Sequence, residues 1–133
     1  MNYQETKILR QLAKSWNNLD TSFIEPVLAR NLIYESQWVL IPIEGKRAFL
    51  LYLHSKFTAI KLAMQLEPMT VTAELALHPS LQNRPCIVLT QITKQRITKV
   101  SVLVKVQERK IKHIDICFIP DPADAVLSGE FPK

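Results

Sequence analysis

Glycine is almost missing from this chain, with two residues among 133, Gly45 and Gly129. Phosphate-cradling loops and dinucleotide fingerprints need several glycines close together, so both are excluded. Cysteine is as scarce. Cys86 and Cys117 are too few for a four-cysteine zinc site and lack the spacing of a redox pair. His54, His78 and His113 are far apart, and no group of His, Cys, Asp or Glu has ligand spacing. No metal and no cofactor is expected. Apolar runs fall far short of the ~20 residues that span a bilayer. The opening residues, Met1-Asn2-Tyr3-Gln4-Glu5, lack the basic region and apolar core of a secretory leader. The expectation is a cytoplasmic protein with reduced thiols and no membrane partner.

Hydrophobic residues make up 47% and charged residues 22% of the chain, the profile of a globular protein. A chain of this length forms one domain with one core. Its net charge of +5 is local: Lys94 to Lys112 carries seven basic residues against Glu108. No aromatic residue is interleaved to stack on bases, so the lysines read as a solvated sheet face and turns, without a specific nucleic-acid partner.

Periodicity orders the elements. Ile8, Leu9, Leu12, Ala13 and Trp16 recur at helical spacing, and Asn17-Asn18 ends that helix. Ser22 and Glu25 have capping-box spacing for a short second helix to about Ala29, with Pro26 in its first turn. Leu32, Tyr34, Ser36 and Trp38 then alternate with Asn31, Ile33, Glu35 and Gln37, as a strand does. Pro42 and Gly45 break the chain before a third helix, Lys46 to about Lys61, with Phe49, Leu50, Leu53, Phe57 and Ile60 on one stripe. Four strand-like runs follow, at 70–77, 86–93, 99–107 and 111–119. Residues 120–133 have no consistent period and read as a tail or arm, leaving 1–119 as the domain. Early helices and late antiparallel strands imply an α+β fold with three N-terminal helices on one sheet face.

The early Trp16, the stretch LDTSFIEPVLARNLIYESQWV, the helix IEGKRAFLLYLHSKF and the closing KIKHIDICFIPDP together resemble the nuclear transport factor 2-like superfamily. That resemblance implies a cone-shaped fold with a curved, mostly antiparallel sheet, shared by ketosteroid isomerases and polyketide cyclases. The Tyr-plus-two-Asp set of the ketosteroid isomerases is not complete here.

Strand parity indicates which polar residues point inward. A hairpin turning at Arg109-Lys110 puts His113 and Asp115 on the face of Val104 and Val106. A turn at Gln95-Arg96 adds Ile87, Leu89 and Gln91, whereas a three-residue turn would reverse either assignment. On this register a largely aliphatic inner face holds Gln91, His113 and Asp115, with Tyr34, Ser36, Trp38 and Tyr52 supplying hydroxyls and an aromatic wall. Such a surface suits a small, mainly apolar ligand. Asp115 or His113 could move a proton beside a carbonyl, the chemistry of an isomerase, cyclase or dehydratase. A third possibility is a dimeric interaction module. On the same register Val88, Ile92, Leu103, Ile114, Ile116 and Phe118 form an apolar outer patch, and a second copy is expected to cover it.

Overall fold

The computed structural model describes residues 3–37 and 39–133. Helix α1, Tyr3–Asn18, buries Ile8, Leu9, Leu12, Ala13 and Trp16. Leu19 ends it in the left-handed conformation, φ 51°. The short second helix is realised as two consecutive 3₁₀ turns, Thr21–Phe23 and Glu25–Val27. The cap is Asp20, whose carboxylate accepts the Ser22 N–H at 2.9 Å, and not the expected Ser22–Glu25 box. Pro26 carries no N–H to donate, and a strand begins at Leu28, leaving no room for a full α-helical run.

Seven strands form one sheet: β1 Leu28–Ser36, β2 Val39–Glu44, β3 Met69–His78, β4 Arg84–Thr93, β5 Ile97–Gln107, β6 Lys110–Cys117 and β7 Val126–Leu127. Their order is β2-β1-β6-β5-β4-β3-β7. Every pairing is antiparallel except β1 with β6. The expected break at Pro42 is in fact strand β2. Proline is tolerated there because β2 is an edge strand, where a missing ladder donor costs little. Helix α2, Lys46–Leu66, runs one turn beyond its expected end and buries Phe49, Leu53 and Phe57. It packs with α1 on the inner sheet face, around Leu32, Tyr34, Ala73, Ile87, Leu89, Val100, Val102, Val104, Ile114 and Ile116. This is a helix-on-sheet α+β cone with a curved, mostly antiparallel sheet.

Beyond Cys117 the chain crosses the outer face. Asp121 caps a 3₁₀ turn at Pro122–Asp124 by accepting the Ala123 N–H. β7 then pairs with β3. Beyond it, backbone bonds join Ser128 to Leu75 at 3.0 Å and Leu75 to Glu130 at 3.1 Å, and Arg10 pairs with Glu130 at 2.8 Å. The segment overlies a second apolar cluster of Ala76, Cys86, Val88, Leu103 and Cys117, with Ala125 packed against it. The expected outer patch is therefore mostly absent. Ile114 and Ile116 face the core, and Val88 and Leu103 are buried. Ile92 and Phe118 remain exposed.

Candidate functional site

One residue of register decides what the cone encloses. The β5–β6 hairpin turns at Glu108-Arg109, both at positive φ (54° and 64°), as a two-residue turn matching strand twist requires. Gln107 faces Lys110 and Val106 faces Ile111, but the next pairing is Lys105 with His113. Lys112 is thus the extra residue of a β-bulge, and every side chain beyond it changes face. Val104 now faces Ile114 and Val102 faces Ile116.

His113 and Asp115 therefore lie on the outer face, contrary to the inward placement expected from the alternation. His113 Nε2 is 2.9 Å from Glu35 Oε2. Asp115 is half-buried, flanked by Glu35 on β1 and Leu103 on β5. Neither residue contributes to an interior site. The β4–β5 hairpin turns at Lys94-Gln95, between Ile92 and Ile97. That is one residue earlier than expected, a displacement that preserves parity, so Ile87 and Leu89 do face the core.

Inside, the structure brings Tyr34 and Tyr52 together. Their hydroxyls are 3.4 Å apart and their ring centroids 5.2 Å apart; Phe49 lies 5.1 Å from Tyr34 on another side. Ser36 is buried beside them on β1. Burial, then the bond to Tyr52, pushes the Tyr34 phenol far above its ordinary range, with a Ser36 bond opposing weakly. Tyr34 is thus a neutral hydrogen-bonding group throughout ordinary pH, and its ring is packed into the core. Trp38 lies outside the described residues.

On the inner side a cleft of about 50 Å³ lies open between the helices and β3–β5. Trp16, Ile60, Val71, Leu89 and Val100 make its apolar wall, and Lys56, Gln91 and Thr98 stand among its polar lining. Trp16 is fixed by an edge-to-face contact with Phe57 at 4.9 Å. Lys56 Nζ sits 5.9 Å from the Tyr52 ring centroid, linking the tyrosine pair to this rim. Gln91 is exposed and bonds Met69 Sδ at 3.7 Å.

A larger open groove, about 910 Å³, runs along the start of α2, lined by Arg30, Glu44, Arg47, Leu50, Leu51 and His54 among others. Sequence reasoning missed it. Its one local signal is Gly45, held at φ 96° where β2 turns into α2. The groove mixes both signs of charge and contains no buried polar group to orient a reaction.

The basic run is dispersed. Lys94, Arg96 and Arg109 sit at hairpin turns, Lys110 donates to Pro26 O and Lys112 to Asn31 Oδ1. Among the described residues no group of three His, Cys, Asp or Glu could hold a metal. No helix among them is long and apolar enough to cross a membrane.

Neither a protein-family profile nor a curated protein matches the sequence. Solved structures do match. A steroid delta-isomerase from Pseudomonas aeruginosa superposes with a TM-score of 0.62 at 14% identity, over 88% of this chain and 80% of its own. An NTF2-like protein of unknown function from Mesorhizobium loti gives 0.62 at 13%, over 95% and 92%. A putative polyketide cyclase from Sinorhizobium meliloti gives 0.58 at 12%, over 83% and 93%. With helices packed on one face of a curved sheet in the same arrangement across most of each chain, this protein has the nuclear transport factor 2-like fold.

Proposed function

We propose that this chain is a small-molecule-binding domain whose ligand inserts an apolar end into the cleft beside Trp16. The observation that carries this reading is the cleft itself, the opening between the helices and the concave sheet face, with an apolar wall and a polar rim. Its ~50 Å³ is well below the roughly 300 Å³ or more of a pocket that encloses a whole ligand. The buried part of the ligand is therefore a short hydrocarbon or ring edge, and the remainder lies across Lys56, Gln91 and Thr98. Acid–base catalysis by Asp115 or His113 loses its support, because both face outward, away from this space. Isomerase and cyclase names among structures at 12–14% identity argue for the cone, not for turnover.

The chain has two tryptophans, so Trp38→Phe leaves Trp16 as the sole indole reporter. Titrating that variant with 1-butanol to 1-octanol, the matching carboxylates, and phenol should give a saturable change in Trp16 emission for at least one probe. Val100→Phe, which fills the cleft, should remove it. Linear, unsaturable responses throughout, or saturation surviving in Val100→Phe, would end this reading.

Self-association is a second reading, now moved from the outer face to the edge of the sheet. Leu40 is fully exposed and Ile41 76% exposed on β2, whose far side has no partner strand in the sheet order. Pro42 blocks a continuous ladder on this edge, so a second copy would cover Leu40 and Ile41 by side-chain packing. Sedimentation at micromolar concentration should show a dimer that Leu40→Lys/Ile41→Lys converts to a 15 kDa species; a monomer from the outset sinks the idea.

A further inference from the structure

The segment after Cys117 is fastened to the outer face by a buried contact that none of the readings above uses. His78, at the end of β3, is wholly buried. Its Nε2 lies 2.9 Å from Ser101 Oγ, and Ser101 Oγ donates to Pro120 O at 3.1 Å. A serine hydroxyl has one proton. Since Ser101 spends it on Pro120, His78 must donate Nε2–H to Ser101, which fixes the neutral tautomer with Nδ1 bare. Nδ1 is buried and has no hydrogen-bond partner among the described residues.

We propose that residues 118–133 are a strap that neutral His78 holds shut and that mild acid opens. Protonation would put a second N–H at Nδ1 with no protein acceptor among the described residues, and a charge in a buried site. The charged groups around it do not remove that penalty. Asp121 and Asp124 of the strap favour the cation, Arg84 on β4 stands opposite His78 in register, and burial outweighs the two carboxylates. Cys86 and Cys117, beneath the same strap, are neutral because burial raises their thiols to about 12 and about 11.

The direction follows from linkage. In the closed state His78 titrates below its ordinary value of 6.5; in the open state it is hydrated and returns to that value. Protons therefore bind the open form preferentially, and closure weakens as pH falls through 6.5. Opening bares the strip of Ala76, Cys86, Val88, Leu103 and Cys117, so the strap gates access to both thiols.

Reaction of the two thiols with 4,4′-dithiodipyridine, referenced at each pH to the unfolded chain, reads this opening. Amide exchange at Ser128 and Leu75, whose N–H groups bond along the strap, divided at each pH by the unfolded-chain rate, reads it independently. Between pH 7.5 and 5.5 both should rise by up to about tenfold, the linkage limit for one histidine returning to 6.5, while core amides such as Val104 stay protected. His78→Gln retains a side-chain donor without the titration and should be flat with pH. An equal rise in His78→Gln, no rise in the wild type, or a parallel rise at Val104 would overturn the proposal. If His78→Gln does not fold, the wild-type His78 imidazole resonance decides: a midpoint at or above 6.5 overturns it, and one well below supports it.

Discussion

Ile114→Asp should leave this protein largely unfolded, whereas Asp115→Asn, one position on, should change its stability by less than about 1 kcal/mol. Ile114 is 1% exposed and sits between Tyr34 on β1 and Val104 on β5. Its ladder neighbours, Tyr34 and Val104, offer no cation to pair with a carboxylate placed there. An unpaired buried charge costs at least about 4 kcal/mol, a large part of the 5–15 kcal/mol typical of a small domain. Asp115 has the opposite setting. It is half-buried on the outer face, directly across from Glu35, so neutralising it also relieves a like-charge cross-strand pair. Urea unfolding of the two variants measures both. A stable Ile114→Asp together with a crippled Asp115→Asn would mean that β6 has the other register and that the bulge at Lys112 is not there.

Phe57→Ala should cost about 3–5 kcal/mol, the range for truncating a buried aromatic where neighbours relax only partly. Phe57 is 2% exposed and makes the edge-to-face contact that braces Trp16. Its loss removes the tie between α1 and α2 at the back of the cleft as well as its own buried surface. The midpoint of urea denaturation should fall accordingly. Phe57→Leu, which restores most of the volume, should recover more than half of the loss. A change below 1 kcal/mol for Phe57→Ala would show that the helices are held elsewhere and that Trp16 needs no support.

Much of the cone was legible in the residues because each helix buries one stripe. Leu9, Leu12 and Trp16 on α1, and Phe49, Leu53 and Phe57 on α2, sit at three- and four-residue spacing, a pattern that only a helix can turn toward a single core. The alternation of Val100, Val102 and Val104 likewise states which side of β5 faces the helices. These are local regularities, and local sequence suffices for them.

The site depended on something else. Along β6 the buried residues are Ile111, Ile114, Ile116 and Cys117, which belong to both parities. One reason is the extra residue at Lys112; the other is the strap that buries Cys117 from outside. Both arise from contacts with chain far away in sequence: the ladders with β1 and β5 settle where a bulge falls, and the return of residues 118–133 settles which outer side chains are dry. The same holds for β2. Pro42 argues against a strand by itself and is accommodated only because no neighbour asks for its missing donor. Sequence by itself determined the buried stripes of α1 and α2 and the core-facing side of β5. Only the tertiary structure decided which face of the sheet His113 and Asp115 occupy, because a one-residue slip reverses a strand without altering its composition.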